Sequence, residues 1–239
     1  MFRIKIAGLV IGIENQYEYV SRLCEGYKID EEGAAFCVAA TEQEVLKEQG
    51  QSTEKFPLSY CEAACLYRKI CLKLVDYHGF LLHAAALELD GEAYVFAAKS
   101  GVGKTTHMKL WIEAFGNRVQ IINGDKPVLR FMEGKLYACG TPWCGKEGLG
   151  NPIMAPVKGI CFLEQSRDNH IRQLGAAEVV GRIFHQMLIP EEEEAINRFF
   201  DLVDQMIASV DCYLLQCNRE RAAALLACER MSGGKGKEE

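Results

Sequence analysis

Residues 96–111 read FAAKSGVGKTTHMKLW, a glycine-studded loop set between an apolar run and a segment with helical spacing. The order strand, loop, helix limits the fold more than any other feature of the chain, because it aims the loop's backbone N–H groups and a helix N-terminus at a single point. Ala98-Lys99-Ser100-Gly101-Val102-Gly103-Lys104-Thr105 fits the phosphate-loop pattern, with alanine in place of its first glycine. Glycines at 101 and 103 let the backbone curl around an anion where a side chain would block the dihedral angles or the approach. Lys104 is placed to neutralise β- and γ-phosphates, and the Thr105 hydroxyl to ligate Mg²⁺. A helix over 105–115 would add its positive end. The expected nucleotide-binding set is Lys99, Ser100, Gly101, Val102, Gly103, Lys104, Thr105 and Thr106.

The rest of the composition narrows the class. With 239 residues, 49% of them hydrophobic, the chain can bury a full core, which excludes disordered and fibrous classes. Thirty-three acidic against 27 basic residues give a net charge of −6. There is no basic block of the kind that binds nucleic acid, so neither DNA nor RNA is an expected partner. No apolar run reaches the roughly 18 residues of a membrane span. Residues 1–10 carry Arg3 and Lys5 inside an alternating stretch and read as a strand, not a signal peptide, so the expected location is the cytoplasm. Eleven cysteines occur without a CxxC pair, a pattern of buried free thiols in a reducing compartment. Cys61 and Cys65, one helical turn apart, have no second pair nearby and read as core residues.

Along the chain, residues 2–10 and 35–39 alternate as strands and 42–49 suit a short helix. Ser59 and Glu62 have capping-box spacing ahead of a helix that should run to Tyr77 and stop at Gly79. Two apolar runs then flank Asp90-Gly91, a hairpin signal, and the second feeds into the glycine loop. VQIINGD at 119–125 is a buried strand ending in a carboxylate, and 127–140 is a hairpin turning at Glu133-Gly134. A strand follows at 157–165, with 169–174 as another or as its continuation, then a helix over 176–188. Glu191–Glu194 suit a helix's first turn, where negative charge complements the dipole. A strand over 212–217 and a helix from an Asn218 cap to Met231 close the chain. The expected organisation is one mixed α/β domain over 1–232, with a strand-rich part at 1–57, a nucleotide-binding part at 58–232 and a flexible tail at 233–239.

A phosphate loop works with a metal-orienting carboxylate on a nearby strand, and Asp125 is the candidate. At this point the residues LLHAAAL…DGEAYVFAAKSGVGKTTHMKLW…IINGDKPVLR…YACGTPWCGKEG resemble the catalytic domain of HPr kinase/phosphorylase, in the branch of short relatives that includes peptide-modifying serine kinases. The resemblance covers about residues 58–165. That superfamily also includes the phosphoenolpyruvate carboxykinases. The resemblance implies a phosphate-loop fold with mixed β-sheets and flanking helices, ATP and Mg²⁺ as cofactors, and transfer of a phosphoryl group to a hydroxyl. It implies an acceptor serine on a peptide or small protein, and, because HPr kinases form rings, some self-association.

The resemblance also implies site residues. His83 occupies the family's histidine position before the loop. The family has two adjacent acids on the following strand, one a general base and the other near Mg²⁺, whereas here the pair reads Gly124-Asp125. Two assignments of the base stay open: Asp125 doing both jobs, or His83, since imidazoles as a class titrate near neutral pH. GTPWCGKEG, residues 140–148, matches the relatives too, and would present Lys146 to the transferring group. The implied catalytic set is Asp125, His83, Lys104 and Lys146, with Thr105 and Asp125 at the metal. For His107 and Trp111, packing beneath the nucleotide is the expected role. Two alternatives remain: a small-molecule kinase acting on an alcohol, and a nucleotide-binding adaptor that lost catalysis with the first acid.

Overall fold

The structure is a computed structural model describing residues 1–51, 54–99 and 101–233. Ser100, expected among the phosphate-binding residues, lies outside the described residues, as do positions 234–239 of the tail. The chain begins with a hairpin of β1 (Phe2–Ile6) and β2 (Leu9–Glu14). Its turn, Ala7-Gly8, has φ of 52° and 76°. The single strand expected over 2–10 is therefore two. Apolar alternation continues across the turn, and an alanine in the left-handed region gives no warning in sequence. Helix α1 (Glu18–Leu23) follows, then β3 (Phe36–Ala39), which runs parallel to β2. Helix α2 (Glu42–Gly50) starts with a true capping box, Thr41 and Glu44 each accepting the other's backbone N–H.

Helix α3 (Leu58–Leu74) starts after Pro57, so Ser59 is not its cap. Glu62 is fully buried, and its carboxylate accepts the backbone N–H groups of Gln16 and Tyr17. The spacing suggested a local cap where the acid in fact pins a distant segment. The helix gives way to a 3₁₀ turn over Val75–Tyr77, and His78 takes the left-handed conformation at φ 61°.

The larger sheet is built from β4 (Gly79–Leu81), β5 (Ala84–Leu89) and β6 (Glu92–Ala97). Helix α4 (Lys104–Phe115) comes next, followed by β7 (Val119–Asn123), β8 (Val128–Met132), β9 (Lys135–Cys139) and β10 (Met154–Gln165). Then come β11 (His170–Gln173), α5 (Ala176–Ile183), α6 (Glu193–Ser209), β12 (Cys212–Cys217) and α7 (Arg221–Ser232). The hairpins at Asp90-Gly91 and Glu133-Gly134 form as expected, all four residues at positive φ. The helix expected over 176–188 ends at Ile183 and continues as a 3₁₀ turn, Phe184–Gln186. Only Glu193 and Glu194 lie in the first turn of α6, with Glu192 at its cap. Glu220, not Asn218, precedes α7, while Asn218 Oδ1 accepts the Glu220 N–H.

Strand order is β4-β8-β9-β10-β6-β5-β7, with β12 also on β10 and β11 on β12. Strand β10 joins two regions. Met154–Pro156 pair antiparallel with β9, and its later residues pair parallel with β6 and β12. The result is a mixed α/β sheet in which three adjacent parallel strands, β6, β10 and β12, share one carboxyl end. Apolar residues on one side of this sheet pack with α5 and α6, and those on the other with α4 and α7. The three-stranded N-terminal sheet packs on α3 in a cluster that also takes in Val128, Cys139 and Trp143. That cluster crosses the expected 57/58 boundary. All eleven cysteines are free thiols. Among the described residues, no helix is long and apolar enough to cross a membrane.

Candidate functional site

The glycine loop leaves β6 at Ala97 and enters α4 at Lys104. Gly101 and Gly103 have φ of 81° and 124°, backbone that a side-chain-bearing residue adopts only with strain. A bond from Val102 N–H to Lys99 C=O (3.2 Å) bends the loop, and the Gln165 amide ties it to the end of β10 by donating to Val102 C=O (3.0 Å). Thr105 and Thr106 are half-buried, and neither hydroxyl has a hydrogen bond among the described residues. Lys104 is 9% exposed; its ammonium donates to Ala98 C=O at 2.9 Å and lies 3.3 Å from His83 Nε2. Burial pushes its pKa down, against the opposing pull of the Asp125 carboxylate.

His83 sits between β4 and β5. Its N–H donates to Gln186 C=O, while the next residue, Ala84, donates to Asp125 C=O. Its Nε2 meets Asp125 Oδ1 at 3.1 Å. Turned so that its nitrogen meets acceptors, the Gln186 amide reaches Ala98 C=O, His83 C=O and His83 Nδ1 at 3.2–3.3 Å. An accepting Nδ1 puts the imidazole proton on Nε2, which then donates to Asp125. The tertiary structure thus brings three expected residues, from three separate elements, into one chain of contacts: Lys104, His83, Asp125. The hydrogen bond from His83 is the largest influence holding the Asp125 carboxyl below its ordinary range, with Lys126 and Lys104 adding to it against burial.

Asp125 lies two residues beyond β7, in a cradle the sequence reading missed. Asn123, fully buried, accepts the N–H groups of Asp125 (2.9 Å) and Lys126 (2.7 Å) through Oδ1. Its Nδ2 donates to the backbone and hydroxyl oxygens of Thr141. The Thr141 and Tyr67 hydroxyls both donate to Lys126 C=O. An asparagine two residues before a carboxylate is a recognisable turn signal. Gln186, 61 positions from Asp125 in the sequence (186 − 125), offered no signal at all.

Gly124 stands where the resemblance implies a first acid, and the space there is filled. A Cβ at this position would lie 3.1 Å from Leu149 C=O and 3.3 Å from the Met108 methyl. The 140–148 loop is anchored by Trp143, which is 8% exposed, stacks on Tyr67 at 4.5 Å and donates its indole N–H to Ala63 C=O. The loop brings Gly145 against Asp125, where an added Cβ would come within 2.9 Å of the aspartate Cβ. Lys146, the next residue, is exposed and forms no hydrogen bond or ion pair among the described residues. The loop reaches the cluster through Gly145, without its lysine.

Among the described residues no group of three or more His, Cys, Asp or Glu could hold a metal by itself. Mg²⁺ seldom uses such a cage, taking one or two protein oxygens together with phosphate and water. An ionised Asp125, whose Oδ2 has Lys126 as its one ion-pair partner among the described residues, at 3.7 Å, is with the Thr105 hydroxyl a hard-oxygen donor set that fits this habit.

No family model matches the chain. No curated protein sequence matches it either. Among solved structures, the Hpr(Ser) kinase/phosphatase from Coxiella burnetii superposes with a TM-score of 0.36 at 11% identity, over 64% of this chain and 94% of that one. Neither that score nor that identity establishes a shared activity.

Proposed function

We propose that this chain is a Mg·ATP-dependent phosphotransferase acting on a hydroxyl, with a serine of a peptide or small protein as acceptor. The observation that supports this most is the contact chain Lys104–His83–Asp125 at the mouth of the glycine loop. A structural turn has no use for a buried ammonium and a carboxylate gathered around one imidazole nitrogen. The phosphate-loop pattern of residues 98–105, set between a buried strand and a helix, supports it from the sequence.

In this reading the loop N–H groups and Lys104 bind the triphosphate, Lys104 exchanging Ala98 C=O for phosphate oxygens. Thr105 and Asp125 would hold Mg²⁺, which shields phosphate charge. Asp125 is the general base, and His83 is a positioning residue, because its Nε2 proton points at Asp125 and leaves that nitrogen no lone pair for an acceptor. The Asp125 carboxylate takes the proton of the acceptor hydroxyl, the freed oxygen bonds to the γ-phosphorus, and the bond to the β–γ bridging oxygen breaks, its electrons leaving with ADP. The Asn123–Thr141–Tyr67 cradle fixes the carboxylate during the step.

The test is calorimetry with Mg·ATP together with a phosphotransfer assay on candidate peptides. Wild type should bind; Lys104→Ala should lose binding. Asp125→Asn should keep nucleotide affinity within a few-fold and lose about 10²–10⁴ in transfer rate. Absence of Mg·ATP binding by the wild type, or indifference to Lys104→Ala, would refute the reading. Binding with no transfer to any acceptor would favour the adaptor alternative. Restoring Gly124→Asp is a poor rescue, since Leu149 C=O occupies the space it needs.

A further inference from the structure

A cleft lies between the first turns of α4 (Thr106, His107, Leu110) and the carboxyl ends of β10 and β12 (Gln165, Cys217, Arg219). We infer that this cleft is the nucleoside subsite of the same nucleotide, gripping one edge of the nucleoside while the loop holds the phosphates. The inference rests on the phosphate-binding reading above and adds to it where the rest of the ligand goes and which groups touch it.

Three observations carry it. The first is topological. Strands β6, β10 and β12 are adjacent and parallel, and ligands of open α/β sheets lie outside the carboxyl ends of parallel strands. A ligand whose phosphates sit at the end of β6 and whose remainder continues along that edge crosses β10 and β12. The Gln165–Val102 bond makes the loop and the end of β10 one continuous wall.

The second is an unmatched donor. His107 lines the cleft and is 2% exposed. Its Nε2 accepts the Trp111 indole N–H at 3.0 Å, so the proton is on Nδ1, and Nδ1 has no partner. A buried polar group left unpaired is costly unless something supplies its partner. The Nδ1–H is itself closed to solvent, so a ring nitrogen of a base or a ribose oxygen would meet it only with a small opening of the cleft wall.

The third is Arg219, an exposed guanidinium on the cleft wall that forms no hydrogen bond or ion pair among the described residues. Exposed Arg167 and Arg230 also lack a side-chain partner among the described residues, but neither lines the cleft, as Arg219 does. An unpaired guanidinium can lie flat on a base. Leu110 and Leu163 are among the residues that line the same cleft. The enclosed space is only about 30 Å³, so the cleft grips one edge of the nucleoside and leaves the other to solvent. A modest contribution to affinity follows.

The test compares Mg·ATP with Mg·tripolyphosphate, which has the phosphates and no nucleoside, by calorimetry on the full chain. Wild type is expected to bind Mg·ATP about tenfold tighter than Mg·tripolyphosphate. Arg219→Ala should remove about threefold or more of that advantage and leave tripolyphosphate affinity unchanged. Equal binding of the two probes by the wild type overturns the nucleoside subsite and leaves the phosphate reading standing. Parallel weakening of both probes by Arg219→Ala means a remote charge effect and also overturns it. If neither probe binds, the phosphate reading fails and takes this inference with it. Alkylation of Cys217, followed by peptide mapping, gives a second measure without a variant. Mg·ATP should slow it and Mg·tripolyphosphate should not, and equal rates with the two would overturn the assignment.

Discussion

Protonation of His107 should set the acid limit of this fold. Burial pushes its pKa down to about 4, against an unfolded value near 6.5. The native imidazole therefore stays neutral in a range where the unfolded chain takes up a proton. Between about pH 6.5 and pH 4 the unfolded state binds more protons, so stability falls as pH falls through that window, then levels off. At about 1.36 kcal/mol per unit, the loss attributable to this one ring between pH 7 and pH 5 is ~2 kcal/mol. The perturbation that isolates it is His107→Phe, which keeps a ring in the cluster of Phe96 and Trp111. The variant leaves the Trp111 N–H unpaired, at a cost of about 1–3 kcal/mol that does not depend on pH. Urea unfolding of both proteins at pH 7 and pH 5 yields a difference of differences from which that cost and the other four histidines cancel. Wild type should lose ~2 kcal/mol more than the variant over this interval. Equal losses would show that His107 is not held neutral by burial, and would weaken the argument that its Nδ1–H is an unsatisfied donor.

Other consequences are equally direct. Gly145→Ala places a Cβ at φ 80° and 2.9 Å from the Asp125 Cβ, so transfer should fall about tenfold or more, with Mg·ATP affinity changed little; unaltered turnover would show that Asp125 is not the base. Trp143→Ala removes a buried ring stacked on Tyr67 and should cost about 3–5 kcal/mol in chemical denaturation, whereas Trp143→Phe, losing mainly the bond to Ala63 C=O, should cost about 1 kcal/mol. With Asp125 as base, its depressed pKa keeps the transfer rate level on acidification from pH 7 to about pH 5. A fall centred near pH 6.5 would assign the base to an imidazole.

Much of the local structure was legible in the sequence because its causes are local. The hairpins at Asp90-Gly91 and Glu133-Gly134, the helix after the loop and the strand of residues 212–217 follow from turn chemistry and apolar period, which act within a few residues. Two of the misses have the opposite property. Ser59 and Glu62 have the spacing of a cap, yet Glu62 turns to Gln16 and Tyr17, more than 40 positions away in the sequence, and Thr41 with Glu44 formed the real box nearby. The helix expected over 176–188 ends early, in a 3₁₀ turn whose Gln186 C=O accepts the His83 N–H, a contact no helical period encodes.

The same division holds at the site. By itself the sequence determined that a glycine loop with Lys104 and Thr105 follows a buried strand, and that Asp125 and His83 flank it, because residue type and order carry that information. Only the tertiary structure decided that His83 lies between Lys104 and Asp125 with its proton toward the carboxylate. It alone decided that Asn123 holds the Asp125 and Lys126 N–H groups while Thr141 and Tyr67 hold the Lys126 C=O, and that Gly145 approaches Asp125 while Lys146 is exposed. Hydrogen-bond direction and close approach depend on where separate elements meet in space, and the packing of β5, β7, α3 and the 140–148 loop sets those meetings.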